Sequence, residues 1–220
     1  MASVPRETPD VALLACSDYD RGLVEEKVGR AFELLGGPGA FVGAGETVFV
    51  KVNAVVPLDP GRCATTHPEV VRAVVLQLAG AGARVVIGDS PGGPYNRPAL
   101  KRTYARTGIA RVAEETGAGL NYDVGEVRVS LPGGRAAGSL VLCRPMVEAD
   151  RLVSIGKAKT HALMGFTCAV KNMYGAVPGM EKFAYHSRFR DERDFADLIV
   201  DVALAAKADL HVVDGVWGME

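Results

Sequence analysis

The order of apolar and polar residues along the chain predicts buried strands separated by amphipathic helices. Apolar runs of strand length occur at 11–17, 47–53, 84–90, 149–157 and 208–215. Between them, apolar residues recur at helical spacing, most clearly at 21–37, 67–82 and 191–207. Strands that are apolar throughout are typical of a parallel sheet covered on both faces. We therefore predict a three-layer, Rossmann-like α/β fold with a mainly parallel sheet, in a single domain over residues 1–220.

One segment departs from this pattern and predicts a small antiparallel insert. Residues 121–143 contain two runs of strand-like residues separated by a Pro-Gly-Gly turn. Two strands joined by so short a turn must run antiparallel. We expect this pair to form an insert or an edge of the main sheet.

Polar side chains collect where the predicted strands end. In open parallel sheets, ligands bind outside the carboxyl ends of the strands. We expect these residues to lie along one edge of the sheet and to bind a ligand, although strand ends that meet solvent favour the same residue types. They are Lys51, Asn53, Asp89, Ser90, Lys157 and Asp214.

The segment 157–186 combines lysines and histidines with apolar residues. No acidic residue occurs between positions 157 and 180, so its first lysines have no acidic neighbours in sequence. Such ammonium groups suit an anionic ligand, or acidic side chains supplied by other strands. The lysines are Lys157, Lys159 and Lys171.

We predict a helix over residues 160–174. At steps of four, three and four positions, one stripe of that helix would hold His161, Gly165, Cys168 and Asn172. A polar stripe turned to water is the alternative, but such faces usually mix Glu and Lys. We expect His161, His186 and Lys171 to be the catalytic groups, with the imidazoles moving protons. A catalytic site would also place one histidine within hydrogen-bond reach of a carboxylate.

The start of the helix at 67–82 has two interpretations that the sequence favours equally. Thr66 or His67 caps the helix. Alternatively, Thr65, Thr66 and His67 bind a phosphate or carboxylate at the helix N-terminus, where backbone N–H groups are free.

Composition and charge exclude several classes of protein. A net charge of −1 argues against general nucleic-acid binding. No apolar run approaches the roughly 20 residues needed to cross a bilayer, and residues 1–10 lack the basic start and apolar core of a signal peptide. The four cysteines are scattered singly, which predicts no iron–sulfur cluster and no metal site on them. We expect a reduced cytoplasmic protein without a membrane or nucleic-acid partner.

Five segments together resemble the family known as domain of unknown function 362 (DUF362). They are VFVKVNAVVP (48–57), TTHPEVVRAVV (65–75), VVIGDSPGG (85–93), KAKTHALMGFTCAVKNMYGAVPG (157–179) and VDVALAAKADLHVVDGVWGME (200–220). The resemblance implies a possible ferredoxin-type partner, because many members accompany iron–sulfur modules. This chain departs from that pattern, since it has no cluster cysteines. Family members also continue beyond the WGME motif, so we expect the domain to be C-terminally incomplete, with an apolar patch around Val216, Trp217 and Met219.

A second resemblance is to the nickel-pincer lactate racemases. It rests on a histidine, a glycine, a lysine, a Pro-Gly pair and a second histidine in that order. Here these residues are His161, Gly165, Lys171, Pro178-Gly179 and His186. The resemblance implies redox or isomerase chemistry on a small anionic ligand. The alternative is a non-catalytic accessory or carrier module for iron–sulfur partners.

Overall fold

A five-stranded parallel sheet forms the centre of the computed structural model, which describes residues 11–219. In chain order the strands are β1 (Thr47–Lys51), β2 (Arg84–Gly88), β3 (Gly119–Leu120), β4 (Glu126–Ser130), β5 (Ser139–Cys143), β6 (Arg151–Lys157), β7 (Lys159–His161), β8 (Gly165–Thr167) and β9 (Leu210–Asp214). The order across the main sheet is β3-β2-β1-β6-β9, and all four pairings are parallel. The predicted α/β fold is confirmed.

Helices cover both faces of the sheet. In chain order they are α1 (Arg21–Leu34), α2 (Pro68–Gly80), α3 (Arg97–Arg106), α4 (Ile109–Thr116), α5 (Arg144–Glu148), α6 (Ala169–Asn172), α7 (Gly179–Arg188) and α8 (Glu192–Ala206). Short 3-10 turns add residues 38–40, 60–62 and 173–176. The antiparallel insert is also confirmed, since β4 and β5 pair with Glu126 opposite Cys143 and Ser130 opposite Ser139.

Alternation along β1 divides the core into two halves. Val48 and Val50 belong to the half that includes residues of α1, α2 and α4, whereas Phe49 belongs to the half that includes residues of α8 and β5. Successive side chains of a strand point to opposite faces, so an apolar strand serves both layers. Each of these side chains is buried, and full burial of such a side chain stabilises the fold by about 1.5–3 kcal/mol.

The strand predicted for residues 11–17 is wrong. The segment is extended but pairs with no strand among the described residues. Val11 and Leu13 are 84% and 95% exposed. Apolar composition alone does not make a strand, because a strand also needs a partner for its backbone hydrogen bonds.

The helix predicted over 160–174 is also wrong. Strands β7 and β8 form a hairpin in which His161 faces Gly165, and only the four residues of α6 are helical before the turn at 173–176. Gly165 has φ +66, a left-handed conformation that suits glycine and turns the hairpin. The stripe is therefore broken, with His161 in the hairpin and the buried Asn172 at the end of α6.

Three sequence predictions concern membrane spans, a signal peptide and an apolar patch near residue 217. Among residues 11–219, no helix is both long and apolar enough to cross a membrane. Residues 1–10, for which no signal peptide is predicted, and Glu220 lie outside the described residues. Trp217 and Met219 are 54% and 37% exposed, whereas Val216 is half-buried.

Candidate functional site

A buried ion pair joins the ends of β1 and β2. Lys51 Nζ lies 2.8 Å from Asp89 Oδ1, and both side chains are almost completely buried. The N–H of Ala54 donates to Asp89 Oδ2 at 2.7 Å, and the N–H of Ser90 donates to Oδ1 at 2.9 Å. These bonds matter because a buried charge without partners is strongly destabilising.

The amide of Asn172 connects this pair to α6. Its oxygen accepts hydrogen bonds from Lys51 Nζ and Asn53 Nδ2, both at 3.2 Å. Its nitrogen donates to Ser154 Oγ at 2.9 Å. Since Lys51 and Ser154 lie on neighbouring strands, one amide fixes α6 to both β1 and β6.

Lys159 joins the same group from β7. Its ammonium donates to Asn53 Oδ1 at 3.2 Å and to the carbonyl oxygen of Ala64. Burial, and then the charge of Lys171, lower the pKa of Lys159 to about 8. We use the name Asn172 cluster for the connected residues Lys51, Asn53, Asp89, Lys159 and Asn172.

Thr66 fixes the loop that passes over these strand ends. Its hydroxyl accepts a hydrogen bond from the N–H of Asn53 at 2.9 Å and donates to the carbonyl oxygen of Ile155 at 2.8 Å. The neighbouring Thr65 hydroxyl is buried and has no hydrogen-bond partner among the described residues. Thr66 thus has a structural role here, and anion binding by it stays a prediction.

A second buried ion pair joins β6 and β9. Lys157 Nζ lies 2.9 Å from Asp214 Oδ2 and 2.5 Å from the Tyr19 hydroxyl oxygen. The Tyr19 hydroxyl in turn donates to Asp214 Oδ1 at 2.7 Å. Burial and the charge of Asp214 raise the pKa of Tyr19 above its usual range, so this hydroxyl stays protonated. Sequence reasoning missed Tyr19, because it lies in an irregular segment far from the other residues of the pair.

His67 lies directly on this second pair. Its ring stacks on Tyr19 with centroids 3.7 Å apart, and its backbone N–H donates to Asp214 Oδ2 at 2.9 Å. Its Nδ1 accepts from the N–H of Glu69 at 3.3 Å, so His67 caps α2. The structure thus shows the capping interpretation directly, and anion binding by His67 stays a prediction.

The two ion pairs face opposite sides of the sheet. Lys51 shares its face with Phe49, next to α6, whereas Lys157 shares its face with Ile155, next to the start of α2. The predicted residues do lie at one edge of the sheet, but its thickness divides them into two groups.

Lys182 of α7 holds the loop that follows β2. The ammonium donates to the carbonyl oxygen and the hydroxyl of Ser90 at 2.6 and 2.7 Å. Burial lowers the pKa of Lys182 to about 8. Ser90 therefore contacts a lysine that the sequence did not single out. Lys182 lies about one helical turn before His186, and this spacing is the sequence signal that could have identified it.

His161, Lys171 and His186 form a third group, to which we give the name histidine–lysine group. Burial and then the charge of Lys171 lower the pKa values of both histidines. The charge of His186 also lowers the pKa of His161. The His186 ring is exposed and stacks on Phe195 with centroids 4.4 Å apart. The three residues therefore lie within electrostatic range of one another, and their joint role in catalysis stays a prediction.

Backbone donors fix the tautomer of His161. Its Nδ1 accepts hydrogen bonds from the N–H groups of Leu163 and Met164, at 3.1 and 3.2 Å. An imidazole that accepts at Nδ1 carries its proton on Nε2 when neutral. With its pKa below 6.5, His161 is neutral at pH 7 and acts as a hydrogen-bond donor through Nε2.

The pairing of a histidine with a carboxylate, which we expect of a catalytic site, does not form among the described residues, so this criterion does not support an enzyme over a carrier module. Among residues 11–219, the ring nitrogens of His67 and His161 accept only from backbone N–H groups, and those of His186 and His211 have no hydrogen-bond partner. His211, on the edge strand β9, is exposed. Within this part of the chain, no three His, Cys, Asp or Glu side chains lie together as a metal site.

Residues 48–220 match the family described as "Domain of unknown function (DUF362)". The chain is 33% identical over 223 residues to the "Thylakoid-associated protein sll1697" of Synechocystis. That alignment covers 96% of this chain and 64% of the relative, so the chain spans less than two thirds of that protein's length.

The chain is similar to two solved structures to different degrees. The lactate racemase apoprotein from Thermoanaerobacterium thermosaccharolyticum has a TM-score of 0.52 and 20% identity, over 86% of this chain and 48% of that chain. A protein from Thermotoga maritima gives a TM-score of 0.47 and 14% identity, over 76% of this chain and 40% of that one. The racemase comparison supports the α/β fold.

Proposed function

The chain belongs to the DUF362 family, and on that premise we propose that it binds a small carboxylate or phosphate at Lys171 and transfers a proton with His161 and His186. Lys171 is half-buried, yet its ammonium makes no hydrogen bond or ion pair among the described residues. The other buried lysines at this edge each have partners: Lys51, Lys157, Lys159 and Lys182. This difference supports Lys171 as the anion-binding residue.

Electrostatics around Lys171 favour an anionic ligand. Burial and the positive charge of Lys51 lower the pKa of Lys171, so its protonated form lacks solvation and sits beside a like charge. A partly buried charge gains most from a charged hydrogen-bond partner. A carboxylate or phosphate oxygen would supply that partner. Lys159, whose charge also acts near Lys171, would add to the attraction.

The two histidines fit opposite parts in a proton transfer. His161 offers Nε2–H as a donor at neutral pH, because backbone N–H groups occupy its Nδ1. His186 has a lowered pKa and no ring hydrogen bond among the described residues, so its neutral ring has a free lone pair to accept a proton. His186 would accept the proton from the carbon next to a bound carboxylate and return it, while the Nε2–H of His161 would donate a hydrogen bond to the oxygen that gains negative charge, and this combination suits isomerase chemistry. A 2-hydroxy acid is the substrate class that the lactate racemase comparison suggests.

The racemase resemblance also implies a nickel-pincer group. In place of the roles given above, the amine of Lys171 and the ring nitrogens of His186, which make no hydrogen bond among the described residues, are donors that fit such a group and would hold it. When bound, the group supplies hydride-accepting chemistry. His161 keeps its role as the Nε2–H donor in either case.

Histidine NMR signals test the proposal directly. The chain has four histidines, so addition of sodium L-lactate can be followed at each ring in turn. We expect the signals of His161 and His186 to shift, with no shift at His211 on the edge strand. Lys171→Met should abolish these shifts, and the matched variant Lys207→Met, at an exposed lysine, should not. Equal shifts at all four histidines, or none, would refute binding at Lys171.

The same samples separate an enzyme from a carrier. In D2O, proton transfer at the 2-carbon of lactate would exchange its hydrogen for deuterium and remove the corresponding signal. Exchange that requires both His161 and His186 would support the isomerase. Binding without exchange in the absence of cofactor, and without loss of the L enantiomer when nickel-pincer cofactor is added, would favour the accessory or carrier module, for which ferredoxin-type proteins are the partners to test.

A further inference from the structure

We propose that the solvent face of α3 is a docking surface for an acidic region of a partner protein. The helix contains four basic residues and no acidic residue. They form two pairs spaced by four positions, Arg97 with Lys101 and Arg102 with Arg106. All four side chains are exposed, whereas Leu100 and Tyr104 on the opposite side are fully buried.

Like charges at this spacing oppose helix formation. Each such pair destabilises a helix by about as much as a salt bridge at the same spacing would stabilise it. The cost is not offset locally, since none of the four α3 cations forms a salt bridge with any residue of 11–219. By contrast, Arg21, Arg72 and Arg111 on neighbouring helices all pair with glutamates. Exposed cations without a salt bridge among the described residues also occur elsewhere, as at Arg188 and Arg193, but α3 brings four of them together on one helix that contains no acidic residue.

The surface next to α3 is concave and carries arginines. A shallow hollow is lined by Pro57, Arg102, Ala105 and Arg106. Arg62, from the turn at 60–62, is also exposed and has no salt bridge among the described residues. Two guanidinium groups beside one hollow can bind a carboxylate through parallel N–H groups.

An acidic protein fits this surface better than a membrane or a nucleic acid. The solvent face of α3 has only Pro98 and Ala105 between its cations, so it offers no large apolar side chain for insertion into lipid. The net charge of −1 disfavours a long polyanion, whose charge would extend beyond the roughly 15 Å length of a ten-residue helix. A carboxylate-rich patch on a protein is therefore the partner whose charge best matches α3. Complementary charged patches also guide the association of two proteins.

A short glutamate peptide, no longer than α3 itself, is a suitable probe of this surface. We expect binding that weakens as salt rises, and that weakens about tenfold in the variant Arg102→Glu/Arg106→Glu. The control is Arg84→Glu/Arg128→Glu, which changes the net charge equally at two exposed arginines on strands. Circular dichroism and thermal unfolding would establish that both variants fold.

Two results would overturn the proposal. Equal weakening in the two double variants would show that net charge alone drives binding. Tighter binding to phosphatidylglycerol vesicles or to a single-stranded oligonucleotide, lost on α3 charge reversal, would assign the surface to lipid or nucleic acid instead. None of these measurements uses Lys171 or the histidines, so failure here leaves the proposed function untouched.

Discussion

Lys51 Nζ and Asp89 Oδ1 lie 2.8 Å apart beneath Gly175, with both charged side chains almost completely buried. A Cβ at Gly175 would lie 2.4 Å from Lys51 Nζ and 2.6 Å from Asp89 Oδ1. The backbone at 173–176 therefore closes directly over the ion pair, and only a residue without a side chain fits there.

Gly175→Ala should destabilise the protein. The added methyl would separate Lys51 from Asp89 or displace the turn, and strain of this kind costs about 1–3 kcal/mol. Gly80→Ala is the matched control, because a Cβ at that position in α2 meets nothing within 4 Å. Urea unfolding should show a loss for the first variant and no loss for the second. Equal stability of the two would contradict the close contact.

Breaking the buried pair should cost more than breaking an exposed one. Asp89→Asn leaves Lys51 charged and buried without its counter-ion, which we expect to lower the free energy of unfolding by about 3–5 kcal/mol. Glu33→Gln, which breaks the exposed pair with Arg30, should cost less than about 1 kcal/mol. Chemical denaturation of both variants measures the difference. A small effect at Asp89 would mean that Lys51 finds another acceptor.

Stability should rise with pH through the titration of Lys182. The pKa of about 8 in the folded protein lies below the ordinary value of 10.5, so the unfolded chain binds more protons between these values. The free energy of unfolding therefore increases from pH 8 toward pH 10 because of this group. The comparison is between wild type and Lys182→Met, by urea unfolding at pH 8.0 and 9.5, values chosen to lie inside that window. If the two pH dependences coincide, Lys182 titrates normally.

The tautomer of His161 can be observed directly. Nitrogen-15 chemical shifts at pH 7 should show the proton on Nε2, and titration should give a pKa below 6.5. Lys171→Met should move that pKa upward, because it removes a positive charge. A His161 ring with its proton on Nδ1 would contradict the hydrogen bonds from Leu163 and Met164.

The periodic part of the fold was predictable from sequence. Apolar strands such as β1 and β6 and the apolar face of α8 leave clear patterns, because burial alone selects their residues. The hairpin at 159–167 was not predictable in this way. Its residues also satisfy a helical spacing, and the positive φ of Gly165 decides between the two.

The sequence identified the residue types of the candidate site, but it did not show which of these residues lie together in the fold. Lys51 and Lys157 both end strands, and the sequence could not tell that they face opposite sides of the sheet. Tyr19 was missed because its partners Lys157 and Asp214 are distant in the chain. Contacts between irregular segments depend on the whole fold, which local patterns do not contain.

The position of Trp217 provides an intrinsic optical reporter. It is the single tryptophan of the chain, and its indole meets the Tyr19 ring edge-on with centroids 5.6 Å apart. The same tyrosine bonds to both Lys157 and Asp214, so a change in that ion pair would alter the surroundings of the indole. Fluorescence from one native side chain therefore reports on a buried charge pair, with no label and no substitution. Because the indole is also partly exposed, quenching of its fluorescence by a solute in the solvent would detect the same change in the ion pair.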